Sequence, residues 1–265
     1  MTFLSAPYRT VFRSREVLLR TTLNEFRFKY AGSAMGLAWY VLAPLLLMGL
    51  YAVIYLAVFQ VRPASMSGAE YVLYVFSGLI PFLGFTESLS AGSGSLSLNK
   101  AVLLNTVFPA ELAPLRAVCV SQGAAGVGLL LTVAIALGLG KFSAWILLIP
   151  LVWLALALFV SGLVWILALA SLVVRDVQQI LTFISMALLI VSPIGYTKDM
   201  VPSTIALVLY LNPLSYFVTA FQEIIVFGRA PAPWILGTVV VLGTLSFSVG
   251  FWVFQRAKRV FFDYA

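Results

Sequence analysis

Glu87 is the residue with the strongest claim to chemistry, because it stands inside an apolar run where a charge costs on the order of 3 kcal/mol. Such an acid must face a partner group, a water-filled path or the wetted end of its span. Gly78 and Pro81 precede it, and a proline opens the helical hydrogen-bond ladder, so a bend beside Glu87 is expected. One span earlier, Tyr51, Tyr55 and Phe59 recur every four residues and form an aromatic stripe, which Phe82 and Phe85 could oppose. Aromatic faces stack on the C–H surfaces of sugars, and Tyr adds a hydroxyl. The plainer reading is an interfacial aromatic belt with helix packing.

Bond-making chemistry finds no support. The chain contains no histidine, which removes His-ligated zinc, Ser-His-Asp catalysis and histidine proton relays. Its one cysteine, Cys119, lies in an apolar run and offers neither a disulfide within the chain nor a thiolate cluster. Gly138-Leu139-Gly140-Lys141 resembles a phosphate loop only superficially: Ile135 stands where the first glycine belongs, and Phe142 where Ser or Thr would hold magnesium. Glu87, Asp176 and Glu223 fall at three different depths. The reading is therefore no catalytic residue, no metal ligands and no cofactor bound by this chain.

The elements that position these residues follow from hydropathy. With 62% hydrophobic and 9% charged residues among 265, and a mean hydropathy of +1.07, the chain is a polytopic membrane protein. Its net charge of +7 suits lipid phosphates rather than nucleic acid. The first long apolar run continues to full spanning length, so it reads as a retained span and not a cleaved signal. Spans are expected at 36–59, 71–91, 115–139, 144–174, 177–196 and 234–254. The fourth exceeds what a bilayer needs and holds Pro150, which implies tilt or a kink.

Before the first span, residues 7–30 read as an amphipathic helix lying in the headgroup layer. Phe12, Leu19, Leu23, Phe26 and Tyr30 share a stripe flanked by Arg9, Arg13, Arg20 and Arg27, while Leu18 and Phe28 fall off it. Residues 203–227, broken at Asn212-Pro213 and carrying Glu223, read as two short re-entrant helices before the last span. Charge placement agrees. Six spans with both termini cytosolic put twelve Lys and Arg inside and only Arg62, Lys141, Lys198 and Arg229 outside, whereas a seventh span worsens the ratio. The loop after span two, residues 93–113, is then cytosolic. Gly92, Ser93, Gly94 and Ser95 break the preceding helix, and LNKAVLLNTV forms a short, weakly charged helix suited either to a protein partner or to the bilayer surface. Gly123 to Gly128 and Ser246 to Gly250 bring small residues to helix faces, as close helix packing requires.

The order of these features resembles a family. RFKYAGSAMGLAWYVLAPL, YVFSGLIPF, NKAVLLNTVFPAELAPLR, VRDVQQI and LNPLSYFVTAFQEIIVFG together resemble the permease subunits of bacterial polysaccharide-exporting ABC transporters, the O-antigen, capsule and teichoic-acid exporters. The resemblance implies a homodimer in the bacterial cytoplasmic (inner) membrane that moves a lipid-linked glycan. It also implies two cytosolic ATPase subunits, which would hold the ATP and magnesium. It makes Asn99, Lys100, Leu103, Leu104, Asn105 and Phe108 the coupling helix, with Pro109, Glu111 and Pro114 fixing its exit and Arg20 and Glu25 as further ATPase contacts. By the same resemblance Tyr51, Tyr55, Phe59, Phe82 and Phe85 line the channel, where the charge placement adds Glu87. Arg27 and Lys29 would attract the substrate's lipid pyrophosphate at the entrance. An exporter of small lipophilic compounds, or a membrane scaffold of glycan assembly, are the alternatives.

Overall fold

The computed structural model describes residues 2–54, 66–105, 108–174, 176–197 and 203–258. Among these the regular structure is entirely helical. The order is α1 (Thr2–Arg13), α2 (Arg15–Phe28), a 3-10 turn Gly36–Ala38 running into α3 (Trp39–Val53), α4 (Gly68–Ser93), α5 (Ser95–Leu98), α6 (Lys100–Asn105) and α7 (Leu112–Gly138). A second 3-10 turn, Ala144–Leu148, leads into α8 (Ile149–Val173), followed by α9 (Val177–Val191), α10 (Ser203–Leu211), α11 (Pro213–Ile225) and α12 (Pro233–Ala257). Five stretches, Gly36–Val53, Gly68–Ser93, Leu112–Gly138, Ala144–Val173 and Pro233–Ala257, are long and apolar enough to cross a membrane. α9 is equally apolar but has only 15 residues. The far end of the first expected span, with Tyr55 and Phe59, lies outside the described residues, as do Arg62, Arg175, Lys198 and Arg259.

α4 is the axis of the bundle. A capping box starts it: the Ser67 hydroxyl accepts from the Glu70 amide while Glu70 accepts from the Ser67 amide. From Tyr71 to Ser93 most of its side chains are buried against α7, α8 and α11. α8 and α12 pack backbone against backbone, and glycine permits it. A Cβ on Gly162 would lie 2.1 Å from the Ser246 carbonyl oxygen, and one on Gly250 2.1 Å from that of Gly162. The small-residue stretch Ser246–Gly250 therefore acts as a packing seam. A chain of buried polar groups ties α4, α7 and α8 together, with Gln122 donating to Ser88 Oγ at 3.1 Å and accepting from Trp153 Nε1 at 3.0 Å.

The amphipathic N-terminal segment differs from the single helix expected at 7–30. It begins at Thr2 and breaks at Ser14 into two helices, α1 against α12 and α2 against α7. The break lets each half follow a different neighbour. Leu18, off the expected stripe, is the residue α2 buries, whereas Phe12, Leu19 and Leu23 stay exposed. The buried and the exposed side of α2 are therefore distinct apolar faces.

Past α9 the chain leaves helical geometry at Ser192. The backbone of the next residues is satisfied by side chains: the Tyr71 hydroxyl donates to the Gly195 carbonyl at 2.7 Å, Tyr74 to Tyr196 at 3.1 Å, and Gln222 Nε2 to Pro193 at 2.8 Å. Asn212 donates to Ser192 Oγ at 2.9 Å and caps α11 by accepting from the Leu214 amide. α11 starts on Pro213 and is buried along most of its length, with Phe217 stacked on Phe159, which in turn stacks on Phe85. At that end of the bundle Lys141 pairs with Glu70, and the Ser143 hydroxyl holds the Gly228 carbonyl at 2.8 Å. The opposite end carries α1, α2, α5 and α6 and most of the described cations, and is the basic end below.

Candidate functional site

At the basic end, α4 stops where Gly94 passes close to α9: a Cβ there would stand 2.4 Å from Gln178 Nε2. The short α5 and α6 follow. Their inward side chains, Leu96 and Leu103, join a core with Trp165, Phe251 and Phe254, and Trp165 Nε1 donates to the Glu111 carbonyl at 2.9 Å. Their outward side is apolar and open: Leu98 is 82% exposed, and Val102 and Leu104 about half. An anchored underside with an apolar outer face suits a protein partner or the bilayer surface rather than a loop in water.

Arg116, in the second turn of α7, joins this loop to α2. Its Nε stands 2.5 Å from a Glu25 carboxylate oxygen, its terminal nitrogen donates to Asn99 Oδ1 at 2.6 Å, and its guanidinium lies 6.0 Å from the Phe108 ring centre. Asn99, at the end of α5, also donates to the Ser95 carbonyl at 2.7 Å. One guanidinium thus holds an acid of α2 and the junction between α5 and α6, which its planar fork allows and an ammonium would not.

One turn beyond Glu25, Lys29 pairs with Glu87 of α4, and the two side chains are 29% and 44% exposed. The Lys29 amide donates to the Glu25 carbonyl at 2.9 Å, so both charges sit on one rigid turn. Tyr40 locks the exit of that turn. Its ring stacks on Phe26 at 3.8 Å, meets Tyr30 edge-on at 4.8 Å, and its hydroxyl donates to the Phe26 carbonyl. Glu87 and Leu83 form the ridge between two open clefts. One, of about 500 Å³, runs between α3, α4 and α7 and is lined by Lys29, Tyr30, Trp39 and Tyr40. The other, of about 600 Å³, runs between α4 and α9, where Thr86, Ser90, Thr182 and Ser185 face Phe82, Met186 and Leu189.

The expected site residues divide accordingly. Glu25, Asn99 and Phe108 meet at Arg116, and Lys29 meets Glu87. Lys100, Leu104 and Asn105 are exposed on α6, while Leu103 turns inward and anchors it. Glu111 gives its carbonyl to Trp165, and Pro109 and Pro114 frame the start of α7. Arg20 and Arg27 are exposed on α2. Of the expected channel aromatics that are described, Tyr51 meets Phe76 edge-on at 5.8 Å, Phe85 is in the core stack, and Phe82 lines the cleft against α9, while Tyr55 and Phe59 lie outside the described residues. The hub Arg116, the Tyr40 lock and the hydroxyl-bearing wall of the second cleft were not expected from sequence. Arg116 carried one signal, a cation close after the start of a helix whose N-terminal dipole disfavours it.

The sequence model of a family described as ABC-2 type transporter matches residues 17–226. A protein of Myxococcus xanthus named O-antigen export system permease protein RfbA is 26% identical over 226 residues, covering 84% of this chain and 85% of its own. Two Klebsiella pneumoniae proteins of the same name are each 24% identical over 252 residues, covering 93% of both chains.

Proposed function

The chain belongs to the ABC-2 type transporter family, and on that premise we propose that it is the transmembrane subunit of an ATP-driven exporter that moves a lipid-linked polysaccharide across the bacterial cytoplasmic membrane. The observation that carries the proposal is the near-complete alignment, 93% of each chain, with permeases named for O-antigen export. Supporting it, the basic end offers a docking element and the apolar bundle above it two clefts, an arrangement that uses an energy source outside the chain.

In this reading the basic end is cytosolic, both termini lie there, and two copies of the chain pair with two ATPase subunits. The anchored α5–α6 element receives the ATPase, with Lys100, Leu104 and Asn105 on its contact face. The sixth crossing is α9 continued by Ser192–Tyr196, whose carbonyls are answered by Tyr71, Tyr74 and Gln222. Irregular backbone survives at membrane depth only under such cover. α10 and α11 enter and return from the outer side with Asn212-Pro213 at the turn. Arg27 and Lys29, at the end of α2, draw anionic lipid headgroups and the pyrophosphate of the substrate towards the first cleft, which Lys29 lines. Aromatic rings and hydroxyls along the clefts offer a sugar chain stacking faces and hydrogen bonds without gripping any one residue.

Depletion of the protein in its native cell, followed by fractionation of long glycan, tests the proposal. Lipid-linked polymer trapped on the cytosolic side with surface glycan lost is the expected result. Normal surface glycan would overturn it and turn attention to a small lipophilic substrate.

A further inference from the structure

We infer that Arg116 is a positioning residue that makes α2 and the α5–α6 element move as one body, so that displacement of the element reaches the Lys29–Glu87 pair between the two clefts. The inference rests on the exporter reading for what drives the displacement, but its geometry is independent of the substrate.

Four observations lead to it. Two neighbouring nitrogens of the Arg116 guanidinium meet groups from two other elements, Nε in a close ion pair with Glu25 and Nη2 donating to Asn99, and only 17% of its side chain is exposed. Neither charge is placed well for its own helix: Arg116 is near the positive end of α7, and Glu25 is in the last turn of α2 near the negative end. Each is therefore held by the other and not by helix preference. Glu25 and Lys29 are joined through one helical turn by a backbone hydrogen bond, which leaves no slack between the hub and the second pair. Lys29 ends on Glu87, the one acid that borders both clefts.

The mechanical consequence is a short lever. Its near arm is the Arg116 clamp on Asn99, its stiff body the last turn of α2, and its far arm Lys29 on Glu87. Pushing the α5–α6 element inward carries Glu25 with it and tilts Lys29 off Glu87. The freed acid and ammonium then face the clefts, and the barrier between these falls to the side chain of Leu83.

Charge exchange tests the clamp, and the helix dipoles make it a fair test. Arg116→Glu places an acid near a helix N-terminus and Glu25→Arg a cation near a C-terminus, so each single reversal suits its own helix while breaking the pair. Asn99 can turn its amide to either sign of partner. The first readout is the distance between nitroxides at Leu19→Cys and Leu98→Cys, in a Cys119→Ala background of the full chain in nanodiscs. Each single reversal should lengthen or broaden that distance, and the double exchange should restore it; an unchanged distance in the singles would overturn the clamp. The second readout is glycan exported per ATP hydrolysed by the complete transporter. Each single reversal should lower that ratio at least tenfold and the double exchange recover it, whereas a purely structural loss lowers transport and hydrolysis in proportion and leaves the ratio alone. A constant ratio would refute the lever. If depleting the wild-type chain leaves surface glycan intact, the exporter reading fails while the nitroxide distances still decide the clamp.

Discussion

Adding one methyl group at Gly250 should do more damage than most larger changes elsewhere in the bundle. The Cβ of Gly250→Ala would stand 2.1 Å from the Gly162 carbonyl oxygen and 2.6 Å from its Cα, all backbone that no rotamer change can move aside. An ordinary carbon–oxygen contact needs about 3.3 Å, so α8 and α12 must part by about 1.2 Å where they cross. A radial gap of that order forfeits about half of each dispersion contact, and overpacking of a tight interface costs about 1–3 kcal/mol. With the upper figure, a drop of about 6–12 °C in midpoint follows for a chain of this size. Gly237, in the same helix, is the matched control because nothing lies within 4 Å of the place its added methyl would take. There alanine should be neutral or gain up to about 1 kcal/mol from helix propensity. Thermal unfolding of both variants in the same detergent, followed by fluorescence or monodispersity, measures the pair. Equal midpoints for Gly250→Ala and Gly237→Ala would refute the backbone-contact argument.

Gln122→Leu should leave the Trp153 indole N–H without its buried acceptor, while Ser88 keeps its bond to the Gly84 carbonyl, and lower stability by about 1–3 kcal/mol, read as a shift of the same unfolding midpoint. Lys29→Ala with Arg27→Ala should reduce surface glycan at equal protein levels by weakening headgroup capture, and unchanged export would remove both from the entrance. Tyr71→Phe with Tyr74→Phe should strip two carbonyls after α9 of their donors, costing about 1–3 kcal/mol for each, and hydrogen exchange of residues 192–196 should accelerate.

The long apolar elements were legible because length and hydropathy decide them: α4, α7, α8 and α12 begin and end close to the expected spans. The small-residue seam was legible too, since glycine and serine at helical spacing have few other uses in an apolar helix. The break at Ser14 was not, because a helical wheel presumes one straight axis, whereas two neighbours, α12 and α7, each claim half of the segment. A span was expected over 177–196, yet the helix ends at Val191 with Ser192-Pro193. The proline was visible, but the four side chains that make its departure from helix tolerable come from α4 and from beyond Leu211. Arg116 shows the same limit. Its charge was counted towards topology, while its partners sit 91 residues before it (Glu25) and 17 before it (Asn99), a separation that no local pattern encodes.

The hydrogen bonds that cover residues 193–196 also set a timetable. Tyr71 and Tyr74 have been synthesised long before Gly195 emerges from the ribosome, so their two carbonyl partners can be answered at once. The Pro193 carbonyl must wait for Gln222, made 29 residues later. Until then the Pro193 carbonyl lacks the donor it has in the folded chain. α11 therefore completes the cover of residues 193–196, the last of its three donors to be made. A chain ending at Leu211 would keep the donors to Gly195 and Tyr196 and lack the donor to Pro193.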